Sequence, residues 1–413
     1  RSVVLAWNRD SLYSVADLEG TEVRVNGRTV VELDTEMSYT VRDLSPSTSY
    51  TFEVETHYGD GQSVTETVTA RTDAAPVRVL NVMEYGAVGD GSTLDTAAIQ
   101  AAIDDCPAGG EVWMPEGRIF YSGALFLKSN MTLRVDGILL GSPDPKDYPR
   151  IVSRWEGWRR IYQAADEWLN ENERTGRENI GKDNEYVYSS LLTVGVYDEG
   201  ENGYTAPYNV ENVTICGSGQ INANGYRLGY NDGPNSAVKG GGNGIDYSLC
   251  RQNPNIRGHV LVTHNVCGMY VADVMLANGP AWTIDAIYSK NVTFDNIAVV
   301  ALSNYKTNVG SNRNYILNGD GLDVDSSTHV NILNSFFRAG DDAIAAKSGK
   351  NVEGWLRGKP TAYLRVSDVF SLGSRYGLII GSEMAGGAHD ILFLNSEFVD
   401  NVSDNSMWIK API

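Results

Sequence analysis

The sequence predicts an all-β chain, a small β-sandwich followed by a β-solenoid, on three observations. The first 75 residues alternate in short strands broken by Asn-Gly and Asp-Gly turns. From about residue 80 onward, short β-branched runs ending in Asn, Asp or Gly recur at irregular intervals. At 413 residues the chain exceeds one compact domain and suits a domain joined to an elongated repeat body.

In the first unit, Val3-Val4-Leu5-Ala6-Trp7, Glu22-Val23-Arg24-Val25 and Thr51-Phe52-Glu53-Val54 read as strands, with turns at Asn26 and Asp60. The stretch Leu44-Ser45-Pro46-Ser47-Thr48-Ser49-Tyr50 suits a tyrosine corner, in which a phenol hydrogen-bonds a nearby backbone group, and Trp7 supplies a large core residue. These residues resemble a fibronectin type III module, expected over residues 1–76 and ending near Asp73-Ala74-Ala75-Pro76.

The second unit, residues 77–413, opens on Asn81-Val82-Met83-Glu84-Tyr85-Gly86-Ala87-Val88-Gly89-Asp90-Gly91. Residues 96–105 carry Ala and Ile at helical spacing, and Gly109-Gly110-Glu111-Val112-Trp113-Met114-Pro115 returns to strand. Further on, Val210-Glu211-Asn212-Val213-Thr214-Ile215, Asn291-Val292-Thr293-Phe294, His329-Val330-Asn331-Ile332 and His389-Asp390-Ile391-Leu392-Phe393 repeat one theme. Such short runs suit stacked coils, each burying its inward residues against the next; a plain antiparallel sandwich is the competing architecture. Residues 154–170, with Trp155, Trp158 and Trp168, read as an inserted amphipathic helix. The chain stops soon after Lys410 in a strand-like run without a polar cap, so the solenoid is expected to lack its C-terminal end.

Lys and Arg total 33 against 52 Asp and Glu, a net charge of -19 that repels a phosphate backbone and argues against a nucleic-acid partner. No run of apolar residues is long enough for a transmembrane helix, and no signal peptide opens the chain. Cys106, Cys216, Cys250 and Cys267 lie far apart, without the close pairs of a zinc site, and read as core thiols; no metal or cofactor is expected. An anionic sugar would require a local group of cations within this acidic protein.

Cleavage of a glycosidic bond needs one carboxylic acid to protonate the leaving oxygen and a second carboxylate to activate water or attack. The densest group of acids is Asn318-Gly319-Asp320-Gly321-Leu322-Asp323-Val324-Asp325, followed by Ala339-Gly340-Asp341-Asp342 and a small apolar run ending in Lys347-Ser348-Gly349. The spacing from Asp320 to Asp341 fits adjacent coils, since solenoid repeats run to roughly 20–45 residues. Carboxylates stacked at roughly 4.8 Å repel, so at least one should keep its proton near neutral pH. Neighbouring strand residues point to opposite faces, so Gly340 must permit a bulge or strand-end turn if Asp341 and Asp342 are to serve one site. Asp-Gly corners and calcium ligation are alternative uses of the same residues.

These motifs, with Trp282-Thr283-Ile284, Ile380-Gly381-Ser382-Glu383 and Trp408-Ile409-Lys410, resemble glycoside hydrolase family 28, the polygalacturonases, over nearly everything after Leu80 and most closely in its exo-acting branch. The resemblance implies a right-handed parallel β-helix of the pectin-lyase type. It implies Asp341 as general acid, with Asp320 and Asp342 positioning and deprotonating the attacking water, and inversion at the anomeric carbon. Asn318, Lys347, Arg375, Tyr376, Glu383 and Lys410 are the candidate substrate-binding residues, with pairing to a surface acid the alternative role of Lys347 and Arg375 and capping of a turn that of Glu383. Two departures stand out. The family's active-site His falls on Arg375 or Tyr376, and its Arg-Ile-Lys is Trp408-Ile409-Lys410, which keeps the Lys and loses the Arg. A third lies at Asp285, where the exo branch usually has His.

The expected function is an inverting glycoside hydrolase of α-galacturonosidic linkages in pectin, polygalacturonase-like and exo-acting, with a pectic polysaccharide or oligogalacturonide as partner. A rhamnogalacturonan or decorated-pectin hydrolase is the variant reading. A β-elimination lyase and a non-catalytic carbohydrate-binding β-helix are the readings from other classes. Secretion, or export to a periplasm, follows from the substrate class alone, and oligomeric state is not legible.

Overall fold

The structure is a computed structural model, and it describes residues 1–8, 17–151, 187–197, 208–225, 258–301, 319–349, 354–355, 357–401 and 406–410. The inserted segment 154–170 and Asn318 lie outside the described residues.

The N-terminal part is two antiparallel sheets. Arg28–Leu33, Leu18–Val25, Ser49–Tyr58 and Ser63–Arg71 form one, in that order, and Val3–Ala6 pairs with Ser38–Val41 in the other. Asn26 and Gly27, both with positive φ, make the two-residue hairpin that the Asn-Gly pair predicts. Leu5 and Val41 of the small sheet, with Trp7 and Met37 beside its strands, bury against Val23, Phe52 and Val54 from the larger one. Tyr50 accepts a hydrogen bond on its hydroxyl from the Ser45 amide at 3.0 Å, as the tyrosine-corner reading requires.

From Val79 the chain winds into a right-handed parallel β-helix of three sheets. Sheet 1 stacks strands from Val79–Asn81 to Ala388–Leu394, and its members include all four repeat runs read from the sequence: Val210–Cys216, Lys290–Asp295, Thr328–Leu333 and Ala388–Leu394. Sheet 2 runs from Asp90–Leu94 to Glu397–Val399, and sheet 3 from Leu125–Leu127 to Met407–Lys410. Inward residues of all three form one continuous core, including Val213, Phe294, Val330, Phe337, Ile344 and Leu364. The helix Thr96–Asp105 buries Ile99, Ala102 and Ile103 in the first coil and covers the start of that core. No described helix is long and apolar enough to cross a membrane.

The Asn and Asp residues that end the repeat runs have a backbone reason. Asp273, Asn296, Asn334, Asp368 and Asn395 occupy successive corners between sheets 1 and 2, each with positive φ, a conformation Asn and Asp tolerate better than other non-glycine residues. The same corners anchor the sandwich. Asp273 takes both guanidinium nitrogens of Arg42 at 2.6 and 2.7 Å, Asp368 accepts from the Met37 amide at 3.0 Å and from Ser38, and Thr40 donates to Asp295 at 2.6 Å. The small sheet is thus hydrogen-bonded along the side of the solenoid instead of hanging on a linker.

Cys106, Cys216 and Cys267 are free thiols, Cys106 buried and the others half-buried, while Cys250 lies outside the described residues.

Candidate active site

Sheet 3 carries the acids. In the strand Leu322–Asp325, Leu322 and Val324 enter the core, which turns Asp323 and Asp325 to the outer face. Asp285, in the strand before, is the direct cross-strand partner of Asp323, and Asp325 is the partner of Lys347 in the strand after. Asp320 precedes the first of these strands and Asp341 precedes the strand Asp342–Lys347.

The tension between Asp341 and Asp342 resolves at that strand end. Asp341 sits in the turn and Asp342 opens the strand, so strict alternation does not govern the pair. The turns are zipped together by backbone bonds: the Gly340 amide donates to Gly319 O at 2.7 Å, Gly321 to Asp342 O at 2.8 Å, and Arg375 to Asp341 O at 3.0 Å. Gly321 is required here, because a Cβ would lie 2.3 Å from the Ala343 carbonyl oxygen.

Each of the three aspartates faces a cation. Lys410 Nζ lies 2.9 and 3.2 Å from the two oxygens of Asp342. Arg375 Nη1 lies 3.5 Å from Asp341 Oδ2, and Lys347 Nζ lies 3.8 Å from Asp320 Oδ2. Burial, reinforced by the charge of Asp342, raises the pKa of Asp341, against the pull of Arg375. Burial and neighbouring carboxylates hold Asp320 and Asp323 well above the carboxylate range, with Lys347 opposing the rise in both. Asp341 is also the more accessible acid, its side chain 18% exposed where those of Asp320 and Asp342 are 4%.

Aromatic rings surround the group. Tyr376 and Trp408 lie 5.5 Å apart between centroids, with Lys410 Nζ 4.2 Å and the Arg375 guanidinium 5.2 Å from the Tyr376 ring. Trp282 lies 4.6 Å from Lys347 Nζ and stacks on His259 at 5.8 Å. Among the described residues the grouping that could hold a metal is Glu22, Glu55 and His57, on the sandwich and not at this site, and Arg24 pairs with both of its glutamates.

The structure therefore gathers Asp320, Asp341, Asp342, Lys347, Glu383, Arg375, Tyr376 and Lys410 in one place. It also adds residues to which sequence reasoning gave no site role. Asp323 was visible in the motif itself, and Asp285 as a departure from the exo-branch pattern. His259 had no sequence signal, since it lies in an earlier coil. Its Nδ1 donates to the Trp282 carbonyl at 2.9 Å, and its Nε2 lies 3.7 Å from Asp285 Oδ2.

A parallel β-helix that gathers three cation-paired aspartates along one sheet meets the carboxylate requirement of a glycoside hydrolase. The sequence narrows that class: residues 194–410 match the model for glycosyl hydrolases family 28, and the chain belongs to that family. Residues 79–144 match the rhamnogalacturonase A/epimerase, pectate lyase-like model. The chain is 29% identical to an exo-poly-alpha-D-galacturonosidase of Dickeya chrysanthemi, over 87% of this chain and 57% of that protein. It is 26% identical to a probable polygalacturonase of Vitis vinifera, over 77% and 55%. The chain thus spans little more than half the length of these curated relatives. The fold is similar to that of a family 28 exopolygalacturonase of Yersinia enterocolitica, with a TM-score of 0.72 at 23% identity, covering 96% of this chain and 71% of that one. It is also similar to a hyperthermoactive exopolygalacturonase from Thermotoga maritima, with a TM-score of 0.57 at 25% identity, over 78% and 67%.

Proposed function

We propose that this chain carries the catalytic machinery of an inverting hydrolase of α-galacturonosidic linkages in pectin, acting from a chain end. The observation that carries the reading is the unequal setting of the three aspartates. Asp341 is the most accessible of the three, and burial and the charge of Asp342 raise its pKa, which suits it to protonate the leaving oxygen. Asp342, clamped by Lys410, and Asp320, whose ionised form Lys347 favours against burial, orient and deprotonate the attacking water. Inversion requires room for that water, a gap of roughly 6.5–9.5 Å between acid and base carboxyls.

Arg375 is the cation best placed to receive a sugar carboxylate. Its side chain is 36% exposed, and a guanidinium holds a carboxylate by two parallel bonds. Tyr376 and Trp408 beside it offer ring faces to a sugar. Action from a chain end and the galacturonate preference are supported by the names of the relatives above, and export by the substrate class. In this reading the N-terminal sandwich, residues 1–76, is a brace docked on the solenoid, residues 77–413.

Reducing-sugar release from polygalacturonate and from rhamnogalacturonan, with EDTA present, tests the reading against Asp341→Asn. Release of monomer or dimer from the first polymer, lost in the variant, with NMR detection of the β-anomer as first product, is the expected result. An unsaturated product absorbing in the ultraviolet would replace hydrolysis with elimination. Binding without release from either polymer would make the chain a carbohydrate-binding solenoid.

A further inference from the structure

Lys347 is the wrong kind of cation to hold a substrate. Its side chain is 4% exposed, and its ammonium is enclosed by Glu383 Oε2 at 3.0 Å, Asp323 Oδ1 at 3.7 Å, Asp320 Oδ2 at 3.8 Å and the face of Trp282 at 4.6 Å. An incoming sugar carboxylate would have to displace these acids from a buried site, at the cost of leaving them without a counter-charge. Its neighbours show the same enclosure: Asp323 is 0% exposed, and both its carboxylate oxygens lack a hydrogen-bond partner among the described residues. The cage is built from three successive coils and the loop after a fourth, since Trp282, Asp320 with Asp323, Lys347 and Glu383 come from separate turns of the solenoid.

Resting on the hydrolase reading above, we propose that Lys347 is a positioning residue whose buried ammonium, held by Glu383, favours the ionised form of Asp320 against its burial and the neighbouring acids. The titratable groups facing Asp320 are Lys347, which favours its charged form, and Asp323, Asp342 and Asp341, which oppose it. Those facing Lys347 are Asp323, Glu383, Asp320 and Asp342. Lys410 and Arg375 act on the other two aspartates, and Asp285 on Asp323. Burial works against the charge on Lys347, yet the surrounding carboxylates outweigh it and hold its pKa well above the ordinary lysine value, so the ammonium persists across the working range.

Two substitutions with opposite expected signs test this. Lys347→Met removes the cation from Asp320 and should move the acidic limb of the kcat/KM profile up by roughly one to three pH units, the range for an opposite charge at this distance. Glu383→Gln removes the closest competitor for the ammonium and should move the same limb down. Lys347→Arg should restore the limb. A many-fold rise in KM with an unmoved profile would assign Lys347 to substrate binding and overturn the proposal. So would limbs that move the same way in both variants. Infrared spectra of 13C-aspartate-labelled protein give a readout independent of turnover: Lys347→Met should show more protonated aspartate near neutral pH than the unsubstituted protein, and no increase would overturn the cage. An inactive unsubstituted enzyme with the infrared change present would count against the hydrolase reading alone.

Discussion

The ammonium of Lys410 sits astride the Asp342 carboxylate, 2.9 Å from one oxygen and 3.2 Å from the other, although the two residues are 68 positions apart. The last described strand of sheet 3 thereby reaches back two coils to a catalytic candidate.

Removing Lys410 should therefore cost both stability and rate. Lys410→Met strands a carboxylate that is almost wholly buried, and breaking such a pair costs about 3–5 kcal/mol. The expected result is a lower melting temperature and a reduced kcat, with Lys410→Arg recovering most of both. Unchanged values in the Met variant would mean that the pair is incidental.

A general acid matters most when the leaving group is poor. Asp341→Asn should lower kcat on galacturonan by about 10²–10⁴-fold with little change in KM. Nitrophenyl galacturonosides, whose acidic phenols leave without a proton, should lose far less. Equal losses on both substrates would remove Asp341 from the acid role.

The buried acids also set a stability-pH relation. Asp323 in the native state lies well above its unfolded value, so it binds a proton that the unfolded chain releases. Its contribution is fully present below the unfolded value, about 3.9, and is lost as pH rises through the elevated native one. Asp323→Asn should accordingly gain melting temperature relative to the unsubstituted protein as pH rises across that window. A gap that stays constant or narrows would show that Asp323 is ionised in the fold.

The brace can be loosened without touching the site. Arg42→Ala and Asp368→Ala together remove the contacts of the small sheet with two corners of the solenoid. Amide exchange in Ser38–Val41 should accelerate at least tenfold, while kcat/KM stays within about twofold, because the corners lie between sheets 1 and 2 and the acids on sheet 3. Unchanged exchange would mean that the remaining contacts, Thr40 to Asp295 among them, suffice to hold the module.

Local chemistry determined much of this protein in the sequence itself. Asn-Gly at Asn26 required its hairpin, helical spacing of Ala and Ile required Thr96–Asp105, and the Asn and Asp residues closing each β-branched run required left-handed corners. Such signals are carried within a few residues, so they survive without knowledge of the rest of the chain. The aspartates were legible for the same reason, being packed into two short motifs. What the tertiary structure decided is how charges pair across coils. Coil lengths vary with the loops between strands, so the register that sets Asp285 beside Asp323, Lys347 among Asp320, Asp323 and Glu383, and Lys410 on Asp342 has no fixed sequence spacing. His259 joins the rim through stacking on Trp282, a contact that exists only once two coils lie together. Lys347 shows the difference most plainly: sequence identifies a lysine after an acidic motif, whereas only the tertiary structure buries its ammonium among three acids from other coils.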